Sequence, residues 1–283
     1  LLVGDLLVWS EDGGAGHQLR FKRLFGNLLP RGGAEEGGSA LVRSADPSYQ
    51  PGDQRGPTIA DQLLVWSERR PGAPDHDLYA IRLSQTGFSR SGPVPLIERP
   101  GDQLNPSLVA SDSGEYLLVW SENGTDSQDI LGQRVSVALK TRGAVISIAT
   151  GPSNAREPLV MRDPAVERQD LLVLWTDDRK GDTDIYGTRV SRAGLPRLSP
   201  TGTAADFPVI EGPGNQSQAA AVIIAAREDP RDPAAVEARS LLLWTDETGA
   251  DGLDVRARRL HANGYAFGAT MTVAGGPGAQ TQA

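Results

Sequence analysis

The sequence predicts an all-β chain of five equivalent four-stranded sheets, and three observations carry that prediction. A short apolar stretch ending in tryptophan and an acidic residue is written five times: LLVWSE at residues 6–11, 63–68 and 117–122, LVLWTD at 172–177, and LLLWTD at 241–246. These copies hold all five tryptophans of the 283-residue chain, and a self-similar unit returning every ~50 to 70 residues marks a repeat architecture. No stretch has the 3.6-residue apolar period of an amphipathic helix, whereas short runs bounded by turn residues recur throughout. Finally, LLVW is apolar on both sides, so such a strand must be covered on both faces. Four-stranded blades packed face to face around an axis meet that demand. The expected fold is therefore a five-bladed β-propeller with four antiparallel strands per blade, a single domain with blades at about 1–50, 51–99, 100–151, 152–212 and 213–283.

Each blade is expected to open on a proline-bounded turn: PGDQRGP at 51–57, PGDQLNP at 100–106, PSNAREP at 152–158, PGNQSQA at 213–219 and PGAQTQA at 277–283. A short inner strand follows, at 58–60, 107–110, 159–161 and 219–226, and for the fifth turn at 1–4. Because the last turn ends the chain and its strand begins it, the repeat closes in register, and Leu1 and Ala283 are expected side by side. The tryptophan strand comes second. An acidic, glycine-bearing segment leads to the third strand, at 18–24, 77–83, 129–135, 184–190 and 254–260, whose sixth position is always arginine: Arg23, Arg82, Arg134, Arg189 and Arg259. The outer strand is expected at 39–43, 94–98, 144–149, 207–211 and 270–274. Proline-bearing inserts at 162–168 and 227–240 read as exposed hairpins, since proline cannot continue a ladder.

This pattern of LLVW, acidic turn, DIYGTRV-type strand, outer strand and proline turn resembles the bacterial β-propeller repeats related to TolB and to WD-repeat blades. The resemblance covers essentially the whole chain, and it implies a fold found in many exported or cell-surface proteins. It does not imply one activity, because propellers carry binding, scaffolding and catalysis alike.

Bulk chemistry narrows the function. The net charge of −8 and a pI near 5.0 argue against nucleic acid and anionic membranes, which require a basic surface. The absence of cysteine excludes disulfides, thiolate nucleophiles and thiolate-bound metals. The longest apolar run, 219–226, is far short of a membrane span. The chain opens on Leu1 without an initiator methionine or an export signal, so a mature or trimmed form is expected, working outside the cytoplasm.

Several recurring residues are candidate binding groups, each with a structural reading beside it. The five acidic segments hold sixteen carboxylates against four basic residues, Arg69, Arg70, Arg179 and Lys180. Gathered on one rim they would attract a cation or a basic partner, while the plainer reading is that Asp77, Asp129, Asp184 and Asp254 recur because tight turns use aspartate. Gln54, Gln103, Gln216 and Gln280 stand where their amides can meet sugar hydroxyls, in a resemblance to five-bladed lectins, or can fasten the turn itself. The arginines read as ion-pairing strand residues and the tryptophans as packing residues. His17 and His76 are weak metal candidates, lacking a third histidine and a fixed ligand spacing; no cofactor or resident metal is expected.

Five-bladed propeller glycosidases, which the chain resembles in blade number, place carboxylates on inner strands. None of the inner strands as drawn above contains Asp or Glu, and no hydrolase triad or nucleotide motif is present. The expectation is therefore not an enzyme but a binding or scaffolding module that presents an acidic face to a protein or glycan partner. A multivalent lectin and a polysaccharide-acting hydrolase are the alternatives.

Overall fold

The computed structural model describes residues 2–3, 6–14, 16–23, 39–40, 49–83, 92–111, 114–124, 127–162, 170–191, 193–197, 206–223, 240–249, 252–261 and 264–276. It is all-β, with five four-stranded antiparallel sheets each built of consecutive strands in chain order. The first sheet holds β1 (Leu2–Val3), β2 (Leu6–Asp12), β3 (His17–Arg23) and β4 (Ser39–Ala40). The second holds β5 (Asp53–Ala60), β6 (Leu63–Arg69), β7 (Asp77–Arg82) and β8 (Val94–Ile97), and the third β9 (Gln103–Ala110), β10 (Glu115–Asn123), β11 (Gln128–Ser136) and β12 (Thr141–Ala149). The fourth holds β13 (Ala155–Arg162), β14 (Leu171–Lys180), β15 (Asp182–Val190) and β16 (Asp206–Ile210). β17 (Gln216–Ile223), β18 (Ser240–Gly249), β19 (Gly252–Leu260) and β20 (Ala266–Ala274) complete the fifth. No helix among the described residues is long and apolar enough to cross a membrane. Leu1, Ala283 and most of the two inserts lie outside the described residues.

The chain forms two compact units, Leu1–Gly124 with Gln133–Ala144, and Thr125–Gly132 with Val145–Ala283. In the first, sheets one and two share a core of Leu6, Val8, Leu19 and Phe21 against Leu64, Trp66, Tyr79 and Ile81. In the second, Leu172, Leu174, Ile185 and Val209 of sheet four meet Leu242, Trp244 and Leu260 of sheet five. The tryptophan strand β6 is covered on both faces, as its apolar sequence demands: every residue from Leu63 to Glu68 is buried.

Four indoles, Trp66, Trp120, Trp175 and Trp244, are at most 1% exposed. A buried indole N–H needs an acceptor, and residues two apart on a strand share a face. The WSE and WTD spellings follow from these two facts. Nε1 of Trp66 donates to Glu68 at 2.7 Å, Trp120 to Glu122 at 3.2 Å, Trp175 to Asp177 at 3.1 Å and Trp244 to Asp246 at 3.1 Å.

Opposite each of these tryptophans the first strand of the sheet carries an extra residue. Arg55 pairs with Ser67 and Thr58 with Val65, so Gly56 and Pro57 together face Trp66. The same break sets Asn105 and Pro106 against Trp120, Glu157 and Pro158 against Trp175, and Gln218 and Ala219 against Trp244. The first member of each pair is left-handed, with φ of 55° at Gly56, 50° at Asn105, 54° at Glu157 and 53° at Gln218. Such β-bulges use a left-handed first residue, and a non-glycine residue holds it at a cost of about 1 to 2 kcal/mol. The proline fits because a bulged position owes the ladder no N–H. These strands therefore begin upstream of where the prolines had placed them, at Asp53, Gln103, Ala155 and Gln216 instead of 58, 107, 159 and 219.

Replacing Trp175 by Phe keeps most of the apolar contact but leaves the Asp177 carboxylate, 1% exposed, without its indole donor. The expected loss is about 1 to 3 kcal/mol of unfolding free energy, read from the urea midpoint at an unchanged slope.

Candidate functional site

The recurrent aspartates and glutamines converge on the proline turns. Asp77 accepts the N–H of Arg99, Asp129 that of Gly151 at 3.3 Å and Asp184 that of Gly212 at 3.2 Å, each time the residue before the turn proline. Asp75 and Asp182, two positions earlier than Asp77 and Asp184, take the N–H of the glycine after that proline, Gly101 at 2.9 Å and Gly214 at 3.1 Å. The glycine is needed because backbone lies against it: a Cβ on Gly52 or Gly101 would overlap the carbonyl oxygen of Arg69 or Asn123. Gln103 donates its amide to Arg99 O and Gly101 O, and Gln216 to Pro213 O and Gly214 O. Gln54 instead donates to Glu68 and to the Tyr49 hydroxyl, while its Oε1 accepts the Leu19 N–H at 3.1 Å. All three glutamines are at most 3% exposed. Asp254 lies 3.5 Å from Arg256, and Gln280 lies outside the described residues. Arg82 donates to the Val137 carbonyl and Arg134 pairs with Glu115.

A second set of contacts ties one sheet to the next. The residue before each turn glutamine accepts the backbone N–H at the head of the preceding sheet's third strand: Asp53 from His17 at 2.7 Å, Asp102 from His76 at 2.9 Å, and Asn215 from Thr183 at 3.0 Å. The two histidines extend this latch in the first unit. His17 Nδ1 lies 3.1 Å from Asp53 Oδ1, and His76 stands between Asp53 Oδ2 at 3.3 Å and Asp102 Oδ1 at 2.9 Å. No cluster of three or more His, Asp or Glu side chains fit to hold a metal ion occurs among the described residues. Burial pushes the Asp53 carboxyl up, but the His17 N–H, Arg55 and His76 outweigh it and hold it well below the usual carboxylate range. Asp184 is the reverse: burial, then the charges of Glu211 and Asp182, raise it against the Gly212 N–H.

The first strands of the sheets are not free of carboxylates. Asp53 opens β5 and Glu157 sits at the bulge of β13, both missed because those strands had been started at the proline. Asp53 is 8% exposed and fully engaged. Glu157 is half-buried, and its Oε2 accepts the Thr176 hydroxyl at 3.1 Å and the Gln218 N–H at 3.0 Å. Two donors to one oxygen fix the carboxylate's orientation. In the same unit a groove of about 590 Å³ is lined by Asp177, Asp178, Arg179, Thr188 and Asp206 among others. Arg179 reaches Asp177 at 2.6 Å and Asp206 at 2.5 Å and lies over the Tyr186 ring, while Asp178 accepts the backbone and amide N–H groups of Asn154.

No protein-family model matches the chain, and no curated protein is similar to it. Solved structures are similar in fold. A protein of unknown function from Dyadobacter fermentans is 14% identical with a TM-score of 0.57, over 96% of this chain and 84% of that one. The endo-arabinase of Bacteroides thetaiotaomicron is 13% identical with a TM-score of 0.51, over 87% and 86%. The expectation of a non-enzymatic binding or scaffolding module, and of a chain that is not an enzyme, is corrected at this point. The fold is one that an endo-arabinase uses, and the premise of carboxylate-free inner strands fails at Asp53 and Glu157.

Asp53→Asn and Asp184→Asn should part company with pH. A depressed carboxyl contributes stability above its unfolded value of about 3.9 and loses it as pH falls through the folded value. Asp53→Asn should therefore lower the melting temperature at pH 7, and the deficit should shrink below about pH 4. A raised carboxyl costs stability while ionised, so Asp184→Asn should hold or raise the melting temperature at pH 7, any gain vanishing as pH falls through that raised value.

Proposed function

We propose that this chain is a single five-bladed β-propeller that acts on a polysaccharide as a glycoside hydrolase outside the cytoplasm. Five sheets of four consecutive strands, four of them with a bulged first strand and a proline turn at its head, support a radial arrangement in which β1, β5, β9, β13 and β17 are the inner strands. The blades run at about 1–50, 51–99, 100–151, 152–212 and 213–283.

The observation that carries the reading is Glu157. It is a half-buried carboxylate on a first strand, held in a left-handed conformation at a bulge. Strained backbone of this kind gathers at functional sites. With its Oε2 oriented by Thr176 and Gln218, Glu157 is placed to act in glycoside cleavage as nucleophile or as the base that activates water. The likeness in fold to an endo-arabinase makes arabinan the first substrate to try.

Release of reducing ends from arabinan, then from a panel of other polysaccharides, tests this. Wild-type protein should release sugar from at least one of them, and Glu157→Gln should lower the rate by about 100-fold or more with an unchanged melting temperature. A wild type inert on every polysaccharide, or a Glu157→Gln variant as fast as wild type, would overturn the proposal.

A further inference from the structure

Arg70 and Arg179 occupy the same place in two sheets. Each stands two residues after the carboxylate that serves its tryptophan, Glu68 or Asp177, and each guanidinium lies over the tyrosine of the third strand, 4.4 Å from the Tyr79 ring centre and 4.2 Å from that of Tyr186. In sheet four the charge is neutralised by two carboxylates, Asp177 at 2.6 Å and Asp206 at 2.5 Å. Sheet two provides neither. Glu68 already takes Trp66, Gln54, Tyr49 and the Gly52 N–H, and its Oε1 stays 4.0 Å from Arg70. Tyr79 faces Pro95 as Tyr186 faces Pro208, which puts Pro93 where sheet four has Asp206.

The neighbouring position is reversed as well. Asp178 of sheet four accepts from Asn154, whereas its counterpart in sheet two is Arg69, exposed and without a hydrogen bond or ion pair among the described residues. Arg70 Nε has no hydrogen-bond partner, yet its side chain is 37% exposed; a second ring, Tyr49 at 5.0 Å, helps to hold the cation in place. Both arginines line a groove of about 430 Å³ together with Gln18, Gly52, Asp53 and Gly72. Asp53, the carboxylate among them, is occupied by His17, Arg55 and His76. Two guanidinium groups thus stand in one groove of a chain whose net charge is −8, and no described carboxylate bonds to either.

We propose that this groove binds an anionic sugar unit, a uronic acid or a sulfated sugar, with Arg69 and Arg70 as the partners of its oxyanion. The planar donor fork of arginine matches such an oxyanion, and a fork already held on two rings loses little further freedom on pairing. The volume is that of a small-molecule site, not of a face that docks a folded protein. Gln18, exposed in the same groove, offers an amide to ring hydroxyls. The site rests on the polysaccharide reading above and narrows the substrate to a chain that carries acidic units.

The test uses the full chain and titration calorimetry with oligosaccharides of equal length that are uronic-acid-bearing, sulfated or neutral. One of the two anionic sets should bind about tenfold or more tightly than the neutral set and should weaken as salt rises from about 50 to 500 mM; which set binds names the anion. Arg69→Gln, at an exposed position without a partner, should leave the melting temperature unchanged and weaken that binding about tenfold, the worth of one charge-assisted hydrogen bond. Pro93→Asp gives sheet two the carboxylate that neutralises Arg179 in sheet four; it should hold or raise the melting temperature and weaken binding by a similar factor. Anionic and neutral sets binding alike, or both variants binding as wild type does, would overturn the site even if wild type degrades polysaccharide. So would binding of inorganic sulfate or a glutamate-rich peptide where no oligosaccharide binds. An anionic set bound without turnover, and weakened by both variants, would uphold the site while overturning hydrolysis. Absence of both turnover and binding would overturn the two together.

Discussion

A fully buried indole must give its N–H to something, and in this chain it gives it to the carboxylate two residues further along the same strand. That requirement orders much of what surrounds it. The carboxylate is itself buried, so it needs donors of its own. Glu68, with no exposed surface, receives Trp66, Gln54, Tyr49 and the Gly52 N–H. Two of those four donors belong to the proline turn that heads the sheet, so the packing of one tryptophan fixes the turn through which the chain enters. Burial, followed by the Glu68 charge, raises the Tyr49 phenol, which keeps it a donor at any ordinary pH.

The abundance of acid in the turns has the same origin. Asp77, Asp129 and Asp184 hold backbone N–H groups of the turns, Asp53 and Asp102 latch neighbouring sheets, and Glu122, Asp177 and Asp246 serve the indoles. A proline turn supplies N–H groups that no ladder can use, and a short carboxylate is the side chain that reaches several at once. Most of the negative charge that looked like a free field in the sequence is thus committed to individual donors. Glu157 differs in place, a half-buried carboxylate at a strained bulge whose Oε2 takes the Thr176 hydroxyl and the Gln218 N–H.

The strands, their order and the five-fold repeat were legible because tryptophan, aspartate and proline mark each unit at fixed offsets. The bulge was not legible. Proline 57, 106 or 158 in an apolar run looks like the start of a strand, since proline cannot donate to a ladder; in the structure the ladder steps around it and resumes upstream. That misplacement hid Asp53 and Glu157 from the first strands and led to the expectation that those strands carry no carboxylate. One signal was available: a polar or glycine residue precedes each turn-ending position, as Gly56, Asn105, Glu157 and Gln218, and only glycine and asparagine among these are at ease with positive φ. Glu157 and Gln218 are the two residues in that series that local conformation does not account for.

The pairing of indole and carboxylate can be read without altering the protein, from hydrogen exchange of the indole N–H groups in a ¹⁵N-labelled sample. Four indole protons, those of Trp66, Trp120, Trp175 and Trp244, should persist long after transfer to heavy water, exchanging no faster than the core backbone amides of β6, β10, β14 and β18. Exchange of any of these four at the rate of a free indole would contradict the buried pairing and the register of turns and bulges built upon it.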